Sequence, residues 1–220
     1  MLNKKKTLTL ITILILVILS LAYILTGGGT SLNKVEVGGK TLKMKQNGSL
    51  YGFTSGEKYG IKSTIVGRYL DVTLDGVEVM KDLSNMKSPN KDDEEFLENG
   101  NLKDGYNIIR MDFTIKNKGD QEEELNLFSY LTGEEYSEWK KVATELNEEN
   151  LIHSPFLYKI KPGEVKNISI GFISSDEDFE KAKKSELSYQ IRLPLREKVK
   201  DKEEDQVEYQ VEYFYFNIDK

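Results

Sequence analysis

The sequence predicts a mostly β protein: an antiparallel β-sandwich with one or two short helices, preceded by a single N-terminal transmembrane helix. Three observations carry this. Apolar and polar residues alternate with period two through most of the chain after residue 33, the pattern of strands with one buried face. Clusters of Gly, Pro, Asn and Asp interrupt those runs at short intervals, as turns between strands require. The chain also opens with an uncharged apolar run, Thr7 to Leu25, unlike anything that follows it.

Residues 1–6 form a basic stub in which Lys4, Lys5 and Lys6 are adjacent. Residues 7–25, TLTLITILILVILSLAYIL, carry no charge. At 1.5 Å per residue such a helix is about 28 Å long, close to the roughly 30 Å hydrocarbon core of a bilayer. It is apolar on every face, whereas a helix packed into a small domain keeps a polar stripe. Positive charge resists translocation, so the three lysines put the N-terminus in the cytoplasm and the rest of the chain outside. Ser20-Leu21-Ala22 offers small residues for signal cleavage after Ala22. Tyr23-Ile24-Leu25 extends the apolar run past that point, beyond the roughly 7–15 residues of a signal core, which favours a retained anchor. Residues 26–33, with Gly27-Gly28-Gly29, read as a flexible linker, and residues 34–220 as one extracytoplasmic domain.

Within that domain Val35-Glu36-Val37 alternates, and a strand resumes at Lys40–Lys45 after Gly38-Gly39. Tyr69–Leu74 and Val77–Met80 flank Asp75-Gly76, a strong hairpin signal, so these two runs are expected to fold back on each other. Ile108–Lys116 places Ile109, Met111, Phe113 and Ile115 on one face. Asn117-Lys118-Gly119-Asp120 is a turn, after which Leu125 and Leu127 return as a strand with Ser129 and Leu131 in phase.

Tyr136, Trp139, Ala143 and Leu146 share a side at helical spacing, and Thr132-Gly133-Glu134-Glu135 could cap them, which predicts a helix over a sheet edge. Pro162-Gly163 marks a turn before the alternating Ile168, Ile170 and Phe172. Phe179-Glu180-Lys181-Ala182 suits another helical turn. Leu187, Tyr189, Ile191 and Leu193 alternate up to Pro194, which ends that strand. Val207–Ile218 alternates at first and then becomes aromatic on both faces from Tyr213 to Phe216, as in a strand covered on both sides. The polar stretches Lys81–Asp104 and Arg196–Asp205 read as loops, the first long enough to be functional.

Composition bounds the partners. The chain has 220 residues, of which 31 are basic and 37 acidic. The first 31 residues hold three lysines and no acid, so the remainder carries a net charge of −9. A domain that acidic is repelled by phosphate backbones and anionic headgroups, which argues against nucleic acid as a partner. The absence of cysteine excludes disulfides, thiolate metal sites, cysteine nucleophiles and a lipidated cysteine anchor. Twelve Tyr, nine Phe and one Trp set the sequence apart from disordered chains.

The order of these features resembles a known group. A strand closes in an Asn-Lys-Gly-Asp turn (Asn107–Asp120), a Gly-Glu-Glu-Tyr turn follows (Gly133–Tyr136), and a Lys-Pro-Gly-Glu turn (Lys161–Glu164) precedes the apolar strand Ile168–Phe172. Over about residues 65–194 this is similar to the telokin-like, immunoglobulin-like domain of unknown function found in surface lipoproteins of Gram-positive bacteria. The resemblance implies an immunoglobulin-like sandwich at the bacterial cell surface and brings no activity with it. Those lipoproteins carry a cysteine after a short signal peptide, whereas here Tyr23 follows Ser20-Leu21-Ala22. The helix over residues 7–25 would then be the attachment to the lipid bilayer.

No catalytic, cofactor-binding or metal-binding constellation stands out. The single histidine, His153, has Ser154 beside it, but adjacency is not triad geometry and no G-x-S-x-G elbow exists. Asp92-Asp93-Glu94-Glu95 and Asp176-Glu177-Asp178 lack the spacing of a calcium loop and read as solvated charge. No phosphate-binding glycine loop is present. Asn47-Gly48-Ser49 and Asn167-Ile168-Ser169 match a glycosylation sequon that matters only in a eukaryotic secretory pathway. Tyr209–Phe216 is the most distinctive surface candidate, set against a core role for the same residues. The expected function is a membrane-anchored extracytoplasmic module without catalysis. It would engage a protein or cell-envelope partner through a sheet face or residues 81–104. The rivals are a secreted form of the same domain, cleaved after Ala22, and an envelope hydrolase with two carboxylates across a cleft.

Overall fold

A computed structural model describes residues 34–47, 50–83, 95–134, 136–138, 141–144, 156–195 and 209–218. The apolar segment 7–25, the linker 26–33, Asp92-Asp93-Glu94, Trp139, Leu146, His153 and residues 196–205 lie outside these. Among the described residues no helix is long and apolar enough to cross a membrane.

The first strands are β1 (Lys34–Val37), β2 (Lys40–Asn47), β3 (Leu50–Thr54), β4 (Thr64–Val66) and β5 (Leu70–Met80). Two short ones, β6 (Leu97–Glu98) and β7 (Asn101–Leu102), precede β8 (Tyr106–Asn117) and β9 (Glu123–Asn126). Next come β10 (Leu131–Thr132), β11 (Ser137–Glu138), β12 (Lys141–Thr144), β13 (Leu157–Ile160) and β14 (Val165–Ser175). Helix α1 (Asp176–Lys184) leads into β15 (Leu187–Pro194), and β16 (Tyr209–Phe216) is last.

Two large sheets form a sandwich. One runs β1-β2-β3-β16-β15-β10-β11 and the other β12-β14-β8-β5-β4. Alternation decides which side chains lie between them. Ile109, Met111, Phe113 and Ile115 of β8 and Ile168, Ile170 and Phe172 of β14 point inward from one sheet. Leu187, Tyr189, Ile191, Leu193, Phe214 and Phe216 meet them from the other. The ring of Phe113 packs 5.7 Å from Tyr189 and 6.0 Å from Phe214, so aromatic contacts join the two layers. Each such ring, fully buried, contributes about 2–3 kcal/mol.

Turn chemistry fixes the ends. In Lys161-Pro162-Gly163-Glu164, Glu164 N donates to Lys161 O at 3.0 Å and Gly163 takes φ +75°, a type II turn with Pro and Gly where that turn wants them. Asn117 is fully buried at the facing turn. Its amide donates to Gln121 O and Ile160 O, both at 2.8 Å, and its carbonyl accepts from Gly119 N at 2.8 Å. Helix α1 starts at Ser175, whose hydroxyl accepts Asp178 N at 3.2 Å, and it buries Phe179 and Ala182. The helical turn expected over residues 179–182 is therefore part of a nine-residue helix.

Three expectations are corrected. Asp75-Gly76 is not a hairpin turn: β5 is one eleven-residue strand that pairs with β8 along its length. Leu74 faces Phe113 and Gly76 faces Asp112, so Asp75 is an extra residue in a β-bulge. The apolar positions on both sides of Asp75 find one continuous partner in β8, which a hairpin would forfeit.

The helix expected over residues 136–146 is also not formed by its described residues, 136–138 and 141–144. Leu131–Thr132 pairs with β15 and folds back onto Ser137–Glu138, while Lys141–Thr144 extends the second sheet beside β14. Gly133 packs so closely on Ser185 that a Cβ would come within 2.6 Å of its side chain. Backbone pairing at the edges of two sheets outweighs a four-residue helical spacing.

The stretch Lys81–Asp104 is not all loop, because β6 and β7 form a small ribbon within it. Leu97 and Leu102 pack there with the buried Phe96, Ile108 and Ile173, a second apolar cluster.

Candidate functional site

Outward positions of three neighbouring strands converge on one open depression. Because β8 sends alternate residues into the core, Arg110, Asp112 and Thr114 face the other way. The register of β14 sets Asn167 opposite Thr114, Ser169 opposite Asp112 and Gly171 opposite Arg110. From the other side the bulge in β5 delivers Asp75. Of these, Asp75, Arg110, Asp112, Thr114, Asn167 and Ser169 line a depression of about 300 Å³, with Phe113 and Ile168 beneath them turned into the core.

The floor is tied together by hydrogen bonds. Ser169 Oγ donates to Asp112 Oδ1 at 2.6 Å and accepts from Arg110 Nη2 at 3.1 Å. Arg110 Nε donates to the same Oδ1 at 2.8 Å, which closes a triangle across two strands. Thr114 Oγ1 lies 2.7 Å from Asp75 Oδ2 and 3.0 Å from the Asn167 side-chain oxygen. A hydroxyl has one proton, so Thr114 serves one of these two acceptors at a time, the charged Asp75 carboxylate being the nearer. Every side chain is thus held by a neighbour, and the site is preorganised.

Hydrogen-bonding capacity is left over. Arg110 carries five N–H bonds and uses two in this network, which leaves three. Asp112 Oδ2 and Asp75 Oδ1 take no part in it. No imidazole or thiol lines the depression. It offers donors and acceptors fixed by one another. Among the described residues no group of acids and histidine is arranged to hold a metal ion.

The acids singled out in the sequence have other work. Asp176 accepts from Asn107 Nδ2 at 2.6 Å and from Lys81 at 3.3 Å. Those bonds, the Asn107 one foremost, hold its carboxyl below the usual range. Asp178 is lowered mainly by Lys181, 2.7 Å away. Both belong to the start of α1, where negative charge suits the helix dipole.

The aromatic strand is divided between two roles. Phe214 and Phe216 are core, whereas Tyr213 and Tyr215 face outward as a ring pair 6.2 Å apart. Gln190 Nε2 donates to Tyr213 OH at 2.8 Å, and Lys58 lies 4.9 Å over the Tyr215 ring. Burial, the largest influence, pushes the Tyr213 hydroxyl above its usual range. The strand is thus covered by core on one face and carries a half-buried tyrosine pair on the other.

Asp75, Arg110, Asp112 and Thr114 were not singled out as a site in the sequence, and Asn167 and Ser169 stood out only as parts of a sequon. The available signal was the polar half of the same alternation that reveals the core. Which polar positions of β5, β8 and β14 stand side by side depends on register, which the sequence does not display.

These features define a mostly β, two-sheet sandwich with a preorganised polar depression on one outer face. No protein-family model matches the sequence, and no curated protein matches it. Among solved structures, the chain is similar to an uncharacterized β-sandwich protein from Clostridium difficile 630, at 14% identity and TM-score 0.39, over 79% of this chain and 99% of that one. It is similar to a functionally unknown protein from Listeria monocytogenes EGD-e, at 15% identity and TM-score 0.44, over 70% of this chain and 81% of that one. The yjhA protein from Bacillus subtilis is a further likeness, at 11% identity and TM-score 0.38, over 60% and 81% of the two chains.

Proposed function

We propose that the chain is a binding module of the bacterial cell envelope, anchored in the membrane by residues 7–25 and presenting an immunoglobulin-like β-sandwich outside. The observation that carries the binding reading is the depression on β5, β8 and β14. Its donors and acceptors are fixed by one another, and open valences remain on Arg110, Asp112 and Asp75. Preorganised polar groups in a concave surface suit recognition. The anchor reading is supported by the uncharged run behind three lysines and by Tyr23 at the place of a lipidated cysteine. Binding, not catalysis, is the reading these groups support.

Protease treatment of cells carrying the full chain tests the orientation. With the envelope barrier permeabilised and the membrane intact, external protease should degrade residues 32–220. Survival of that fragment would overturn the proposed topology. N-terminal sequencing of the mature chain separates anchor from secreted domain, since a start at Tyr23 means cleavage after Ala22.

A hydrolase is the second reading, favoured by one observation: Asp75 and Asp112 line the same depression. Under that reading Asp75→Asn and Asp112→Asn would each abolish turnover of an envelope polymer while leaving its binding intact.

A further inference from the structure

We propose that the depression between β5, β8 and β14 binds the vicinal hydroxyls of a neutral glycan. The inference rests on the binding reading above and names its ligand. Each hydroxyl of a sugar donates one hydrogen bond and accepts others, so a site for a diol needs carboxylate or carbonyl acceptors beside N–H donors. The depression has that mixture: Asp75 Oδ1 and Asp112 Oδ2 are open acceptors, and the remaining N–H bonds of Arg110 are donors beside Asp112.

The alternatives fit less well. Two carboxylates against one guanidinium, in a domain of net charge −9, repel phosphates and other anions. An amine offers donors only and leaves the free N–H bonds of Arg110 without an acceptor. The apolar side chains beneath the site, Phe113 and Ile168, are turned into the core and offer nothing to a lipid tail. A neutral polyhydroxylated ligand meets none of these penalties. It also leaves the paired Ser169 and Thr114 hydroxyls undisturbed.

The test is a titration of the full chain in lipid nanodiscs, because glycosidic detergents would themselves compete. N-acetylglucosamine and its β-1,4-linked hexamer serve as probes, with trilysine and inorganic phosphate as charged comparisons. The hexamer should bind with a Kd on the order of a millimolar, as expected for a few hydrogen bonds without aromatic stacking. Response to the monomer alone would mark a free sugar as the source, and preference for the hexamer a polymer. Asp75→Ala and Asn167→Ala, both exposed on the outer face, should each weaken binding about tenfold without moving the unfolding midpoint.

Three outcomes overturn the proposal. They are no response to either sugar at about ten times that concentration, binding that survives both substitutions, and tighter binding of trilysine or phosphate. Failure of the protease experiment would strike at the orientation of the domain and leave this titration unaffected.

Discussion

The Glu212 carboxylate accepts the backbone N–H of Ser55 at 2.6 Å. It does so just past Gln210 and Phe53, where β16 and β3 pair in parallel. Thr54 Oγ1 donates to the same carboxylate at 3.1 Å, and a backbone bridge resumes only at Tyr59 and Phe214. A side chain therefore stands in for a strand across the gap. Glu212 is only 1% exposed, so its loss leaves a partly buried amide without an acceptor. Glu212→Ala should cost about 1–3 kcal/mol in urea unfolding, and Glu212→Gln, which keeps an acceptor oxygen, distinctly less. Equal losses in the two variants would show that hydrogen-bond acceptance is not what Glu212 supplies.

Gly76 tests the bulge against a turn. A two-residue hairpin of the Asp-Gly type needs positive φ at its glycine. Gly76 is not among the positive-φ residues, and a Cβ there would meet nothing within 4 Å. Gly76→Ala should change stability by less than about 0.5 kcal/mol, whereas Gly163→Ala, at φ +75°, should lose about 1 kcal/mol. Thermal unfolding of the two variants side by side checks this.

Acid should loosen α1 first. Asp176 and Asp178 both have folded pKa values below their ordinary 3.8. A lowered carboxyl contributes stability that is fully present above the unfolded value and lost as pH falls through the folded one. Amide exchange in Asp176–Lys184 should therefore accelerate below about pH 4, ahead of β8 and β14. In Asp178→Asn that acceleration should be smaller, and an unchanged pH profile would remove Asp178 from the explanation.

Tyr189 joins the core to the end of β9. Its ring packs against Phe113 and Phe172, and its hydroxyl donates to Leu127 O. Tyr189→Phe keeps the ring and strands a buried carbonyl, so unfolding free energy should fall by about 1–2 kcal/mol with an unchanged urea m-value. A changed m-value would point to altered compactness instead.

The fold was legible wherever one chemical pattern had one structural solution. Val35 and Val37, the four apolar residues of β8 and the four of β15 were expected on one face and are buried there. The Pro162-Gly163 turn also falls where it was expected. Legibility failed where a local signal competed with a distant partner. Asp75-Gly76 reads as a turn until β8 is laid beside both halves of β5. Tyr136 to Leu146 reads as a helix until β14 and β15 offer their edges.

Alternation alone determined that β8, β14 and β15 are strands, and which of their faces is apolar. The period of a pleated strand is local, and burial follows from hydrophobicity. Alternation also made Arg110, Asp112 and Thr114 the polar side of β8. Only the tertiary structure decided that Ser169 and Asn167 stand opposite them and that a bulge carries Asp75 to their edge. Register and bulges are set by the packing of whole sheets, between residues as far apart as Asp112 and Ser169, and no window of sequence contains that sum of contacts.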